Sequence, residues 1–318
     1  MVCSLSLVYW LLGGAYKISL VPDVQIWRVK QSLINLNKQS TSIDLKLQSV
    51  SALVASGSLE SAWAIISNIE DDSDRAFVIQ SLAKNSETLK DSGRIALLLN
   101  KLFGFAEGIN DARKKADSIL ALAESISILD DQDQMLALFE RLKMSTDGID
   151  KAGDKAKIFQ ALAVSTVKLK DKAKAIVVFR QLQMSTETID DATAKVKTFQ
   201  VLAKNADALN HPGYVAKLLG QALVASEDMN SAGTQENTFK ALIRSATRLK
   251  NYDEAAALLD KLLRATQKIE NVRVKASILQ VLTGSALELT GQGKTQVFLD
   301  QVQVAVEGLE HAGYKADS

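Results

Sequence analysis

The stretch "TGQGKT" at 290–295 sets two glycines, a lysine and a threonine close together, the residue types that cradle a phosphate. A phosphate loop wraps its ligand in backbone N–H groups, and its pattern needs a glycine five positions before Gly293. That position is Glu288, and a helical pattern precedes it where the motif requires a strand, so the stretch reads as a structural turn. The two histidines stand in "HPGY" (211–214) and "HAGY" (311–314), 100 residues apart. No cysteine or second histidine lies near either at metal-ligand spacing, so both read as loop residues. "EDDSD" (70–74) and "DDQD" (130–133) cluster carboxylates as a calcium site would. They lack the central glycine and closing glutamate of an EF-hand loop, so helix caps and solvated turns are expected there. Hydroxyl side chains abound, yet no nucleophile, base and orienting group fall together. The sequence therefore predicts no enzyme, no cofactor and no metal.

The elements that would position any functional residue follow from composition. Of 318 residues, 47% are hydrophobic, 24% are charged and two are proline. Proline breaks helix interiors while alanine and leucine favour them, so this composition indicates an all-α protein. The length suggests two domains or a repeat array. With 38 basic and 37 acidic residues there is no global field to draw the chain to nucleic acid or an anionic membrane. The one cysteine, Cys3, excludes a disulfide framework.

Leucines recur at a spacing of 40: Leu82, Leu122, Leu162, Leu202, Leu242 and Leu282. A mostly small residue follows each, Ala83, Ala123, Ala163, Ala203, Ile243 and Thr283. Six units thus cover 75–314 without insertion or deletion: 75–114, 115–154, 155–194, 195–234, 235–274 and 275–314. The lysine that opens most units returns at Lys315, so 315–318 reads as the start of a seventh. Within the first unit, Ile79, Leu82, Ala83, Ser86 and Leu89 fall on one helical face, and Ile95, Leu98, Leu99, Leu102 and Ala106 on a second. A hairpin of two such helices (A, then B) buries its apolar face only by stacking on copies of itself.

The pattern resembles the tetratricopeptide repeat, and 235–274, "FKALIRSATRLKNYDEAAALLDKLL" within it, resembles it most, through Leu242, Tyr252, Ala255 and Leu262. A shorter copy over 43–74 carries Gly57 in its turn and Ala62 on its second helix. The later units are six residues longer than the usual repeat and lack its closing proline. The expected fold is all-α: a right-handed superhelical α-solenoid of stacked antiparallel hairpins, tetratricopeptide-like with 40-residue repeats.

Ahead of the array, residues 1–42 are expected to supply an apolar segment and a capping helix. The uncharged stretch 4–16 is too short to span a bilayer. It reads either as an apolar cap on the first hairpin or as an export leader or anchor. The first reading favours a cytoplasmic protein; the second would export it or bring it to a membrane. At the other end, either the chain is a piece of a longer array or its last hairpin offers an apolar edge to a partner or a second copy.

In tetratricopeptide proteins ligands lie along the concave face of the A helices, and the resemblance marks five inner positions per repeat. In the three middle units these include Lys157, Gln160 and Lys168; Lys197, Gln200 and Lys204; and Lys240, Arg244 and Arg248, seven basic residues set against Asp207 alone. The resemblance implies a scaffold whose middle repeats hold an acidic or extended peptide, with glutamines bonding its backbone. The alternative is self-association through the ends or edges of the array, with Phe298, Leu299, Val302 and Leu309 as the end contact.

Overall fold

A computed structural model describes residues 32, 42–209, 211–288 and 295–316. The expectations about 4–16 and about the turn at 290–294 lie outside the described residues, as does the capping helix expected within 1–42 apart from residues 32 and 42. So do the side chains of Leu309 and His311.

Fourteen α-helices are described, and no strand appears among the described residues. The first hairpin is α1 (Ile43–Ala55) and α2 (Leu59–Ser67). Next come α3 (Asp72–Lys84), α4 (Ser92–Glu107), α5 (Ala112–Ser125) and α6 (Gln132–Asp147). The chain continues with α7 (Ala152–Thr166), α8 (Lys172–Glu187), α9 (Ala192–Ala208) and α10 (Pro212–Glu227). It closes with α11 (Ala232–Thr247), α12 (Tyr252–Gln267), α13 (Val272–Glu288) and α14 (Thr295–Ala316). From α3 onward the odd-numbered helices are A helices and the even-numbered ones B helices. Contacts divide the chain into Met1–Ser145 and Thr146–Ser318, and each unit is described by itself.

The period is written into the helix starts. A helices begin at Asp72, Ala112, Ala152, Ala192, Ala232 and Val272, and the first five B helices end at Glu107, Asp147, Glu187, Glu227 and Gln267. The recurring lysine of the sequence pattern therefore sits in the first turn of helix A. The aspartate-rich turns supply the caps that open these helices. Asp71, Asp111 and Asp191 accept from the backbone N–H three residues on, as do Asp91, Asp131 and Asp171 at the B helices. Asn251 caps α12 in the same way. The last helix departs from the pattern: α14 runs to Ala316, past the position where the earlier B helices stop.

Core rows follow the same spacing. Phe159, Phe199 and Phe239 are buried on A helices, and Phe139 and Phe179 on B helices. A second B-helix row, Leu102, Leu142, Leu182, Ala222, Leu262 and Val302, is sealed as completely. Buried hydroxyls are accounted for inside their own helices. Thr166, Thr186 and Thr266 each donate to the carbonyl four residues back, at 2.9, 2.7 and 2.7 Å. Such back-bonding satisfies a hydroxyl without a second partner and explains why so many fit inside an apolar core.

Hairpins are tied to one another by polar clasps. In the first unit, the Asp72 carboxylate accepts from the backbone N–H groups of Asn110 and Asp111, both at 2.9 Å. Arg75 donates to the Ile69 carbonyl and, at 3.1 Å, to that of Gly108. Arg94 reaches back to the Val54 carbonyl at 2.7 Å, closing the end of α1. Gly57 beside it has φ +79, which a side chain would resist, and a Cβ there would stand 3.2 Å from the Arg94 guanidinium.

Candidate binding face

The second unit presents the A helices α7, α9, α11 and α13. Their apolar positions turn toward the B layer, so the positions between them are left outward. On α7 this exposes Lys157 and Val164, and Lys168 just beyond the helix end; on α9, Lys197 and Lys204; on α11, Asn237 and Arg244, with Arg248 at its C-cap. Gln160, Gln200 and Lys240 are half-buried. The A helices α7 and α9 pack side by side, as do α11 and α13, and more extensively than the B helices α10 and α12 or α12 and α14.

Eight of the nine expected residues divide by what they touch. The Lys240 ammonium lies 2.7 Å from Glu236 Oε1 and 2.6 Å from Ser277 Oγ, and Ser277 in turn donates to Glu236 at 2.6 Å. This triangle clasps α11 to α13. The hydrogen bond from Lys240, then that from Ser277, hold the Glu236 carboxyl below the usual carboxylate value. Lys157 is also engaged, 3.4 Å from Asp154, whose other oxygen is 3.3 Å from Lys151. Gln160 donates to Thr198 Oγ1 at 3.1 Å and ties α7 to α9.

Lys168, Lys197, Lys204, Arg244 and Arg248 are different. Their side chains are exposed and make no hydrogen bond or ion pair with another described residue. Asp207, the acid within the expected set, is exposed on the last turn of α9. The acids that neutralise Lys157 and Lys240, Asp154 and Glu236, lie three and four residues before their lysines on the same helices. That helical spacing is the signal that reveals them in the sequence.

The B layer of this unit holds a polar network that the sequence pattern does not announce. The Tyr214 hydroxyl donates to Gln183 Oε1, Gln183 Nε2 donates to Gln221 Oε1 at 2.7 Å, and Gln221 Nε2 donates to Glu187 at 2.6 Å. Phe179 meets the Tyr214 ring edge-on, with centroids 6.3 Å apart. Burial raises the Tyr214 hydroxyl above its ordinary value of 10.0. In "HPGY" the tyrosine, not the histidine, makes the chain's long-range contact, and it orders α10 against α8.

Of the expected end contacts, Phe298 and Leu299 are partly exposed. Val302 is 1% exposed and occupies the sealed B-helix row, so its side chain is taken up within the chain. Among the described residues no group of His, Cys, Asp and Glu is placed to hold a metal ion, and no helix is long and apolar enough to cross a membrane.

The arrangement is similar to a solved circular tandem repeat protein with a novel repeat topology and enhanced subunit contact surfaces. The TM-score is 0.51 at 11% identity, over 87% of this chain and 78% of that one. The fold is a tandem array of helix hairpins. At that identity the likeness concerns the fold alone. A signal-transduction ATPase with a tetratricopeptide repeat sensor from Pyrococcus horikoshii aligns over 95% of this chain and 46% of its own, at 13% identity and a TM-score of 0.36. Ton1535 from Thermococcus onnurineus NA1 aligns over 83% of this chain and 98% of its own, at 12% identity and a TM-score of 0.31. No family model and no curated protein matches the sequence.

Proposed function

We propose that the protein is a non-enzymatic interaction scaffold whose A-helix face on α7, α9 and α11 takes an acidic, extended peptide segment. The observation that carries this reading is the set of five exposed cations, Lys168, Lys197, Lys204, Arg244 and Arg248, which have no partner among the described residues. Lys197 and Lys204 are seven residues apart on one helix, about 10 Å along its axis at ~1.5 Å per residue. Arg244 and Arg248 lie one turn apart on the next A helix but at a neighbouring repeat. An extended peptide rises about 3.3 Å per residue, so carboxylates at every third residue would match the first pair. Arginine adds bidentate recognition of a carboxylate, which lysine cannot supply. Gln200, half-exposed beside them, could bond the peptide backbone.

The test is fluorescence anisotropy with a labelled oligoglutamate peptide, at low salt and against an oligolysine control. Lys197→Glu, Lys204→Glu and Arg244→Glu together should abolish capture while leaving the helical circular dichroism unchanged. Equal capture by the triple variant and the wild type would overturn the reading, as would no capture by either. Lys240 is left out of the triple change because reversing it would break the Glu236–Ser277 clasp and confuse folding with binding. The alternative, self-association through Phe298, Leu299, Val302 and Leu309, draws less support because the Val302 side chain is already enclosed.

A further inference from the structure

In the second unit the two kinds of connection differ in charge. The A-to-B turns lie along one edge of the stacked hairpins and the B-to-A loops along the other. A 16-residue helix such as α8, about 24 Å long, separates them. The turns after α7 and α11 carry Lys168, Lys170, Arg248 and Lys250, with Lys172 opening α8. The acid inside these turns, Asp171, already accepts from the backbone N–H groups of Ala173 and Lys174. Asp253 and Glu254 follow Lys250 in the first turn of α12, and Lys170 is already engaged within the chain. On the opposite edge, the connections after α8 and α10 carry Glu187, Asp190, Asp191, Glu227 and Asp228, with no basic residue in either connection. Lys268 reaches Glu227 from the neighbouring loop at 3.3 Å. Of the two remaining B-to-A loops, the one after α6 carries Asp147 and Asp150 against Lys151, and the one after α12 carries Glu270 beside the Lys268 that reaches Glu227.

Helix dipoles do not account for this division. Each edge gathers one set of helix N-termini and one set of C-termini, so the dipoles of the two layers oppose one another at both edges. Capping does not account for it either. Asp191 caps α9, but Asp190 and Asp228 are exposed and make no side-chain bond with another described residue.

We propose that the second unit binds another copy of this chain edge to edge, the basic turn edge of one against the acidic loop edge of the next. The two patches differ and lie on opposite sides, so the contact is head-to-tail and leaves a free edge of each sign at the ends. Such an interface extends to longer oligomers, or closes into a ring, and does not stop at a symmetric dimer. The contact rests on complementary exposed charge, so it weakens as salt shortens the screening length.

Sedimentation velocity of the full chain tests this at about 20 mM and about 500 mM salt, where the screening length falls from roughly 20 Å to a few Å. The expected result is a mass that grows with concentration at low salt and returns to monomer at high salt. Two edge variants complete the test. One carries Lys172→Glu and Lys250→Glu; the other carries Asp190→Lys and Asp228→Lys. Each alone should lose the concentration dependence, and the two mixed should regain it, because the mixture restores opposite edges. A role in folding alone gives no such rescue. A monomer at every low-salt concentration overturns the proposal, as does an association that ignores salt or a mixture that stays monomeric. The basic edge shares Lys168 and Arg248 with the proposed peptide face, so the acidic-edge variant separates the two proposals: it should lose self-association and keep oligoglutamate capture.

Discussion

Asp72 offers the most direct test of how neighbouring hairpins hold together. Its carboxylate accepts from the N–H groups of Asn110 and Asp111 at 2.9 Å each, binding the start of α3 to the loop that leads into the next repeat. Arg75 stands 3.7 Å away and contributes a weaker ion pair. Two hydrogen bonds to a charged acceptor contribute about 1.5–3 kcal/mol each when protected. The Asp72 side chain keeps 21% of its surface exposed, so water replaces part of what is lost. Asp72→Ala should therefore cost about 1–2 kcal/mol, and Asp72→Asn, which keeps a neutral acceptor, about half as much. Urea unfolding of the alanine variant should show a lower midpoint with an unchanged slope. Amide hydrogen exchange adds the local signature, because the Asn110 and Asp111 N–H groups lose their acceptor and should exchange faster than the core of α5. A midpoint equal to wild type, or unchanged protection at those two amides, would refute the clasp.

Further outcomes follow from the same contacts. Leu182→Ala, in the sealed B-helix row, should lower unfolding stability by about 2–5 kcal/mol in denaturant titration. Thr186→Val, which removes a hydroxyl bonded only to its own helix, should cost about 1 kcal/mol or less. Glu236 is held below its ordinary value of 4.5, so its contribution is present above that pH and lost as pH falls through the lowered folded value. Acid unfolding of Glu236→Gln should lack that part of the slope. Burial raises Tyr214 above 10.0, so its contribution is complete below pH 10 and lost as pH rises through the elevated folded value. A phenolate absorbance titration should show one tyrosine ionising late, and Tyr214→Phe should remove it.

The fold was readable in the sequence because repetition multiplies a weak signal. A single leucine followed by alanine says little, but six in phase define a face, and each of those leucines is buried. The aspartate turns were readable for a similar reason, since a cap acts on the backbone three residues away and needs no tertiary knowledge. Contacts between helices were harder to read. Gln183, Tyr214 and Gln221 meet only because α8 and α10 are neighbours, and no local pattern marks a glutamine as buried. Val302 was assigned to an apolar surface at the end of the array. Its phase with Leu102, Leu142, Leu182, Ala222 and Leu262 already placed it in the interior row.

The basic face shows where counting charges stops being sufficient. Seven basic residues at inner positions suggested one continuous strip, but a cation's availability depends on what lies within its reach. Lys240 and Lys204 stand on neighbouring A helices, Lys240 one turn earlier in its repeat than Lys204, and meet different fates. A glutamate four residues before Lys240, and a serine on the next A helix, turn it into a structural tie. Lys204 has Gln200 at the same backward spacing, which cannot neutralise it. The helix therefore decides, by a single residue one turn away, which lysines hold the array together and which remain for a ligand. Replacing Gln200 by Glu should convert Lys204 from the second kind to the first. Oligoglutamate capture should then weaken about as much as for Lys204→Met, with stability equal to or slightly above wild type, since an i,i+4 Glu–Lys pair contributes about 0.3–0.5 kcal/mol. Undiminished capture by Gln200→Glu would show that local pairing does not control this face.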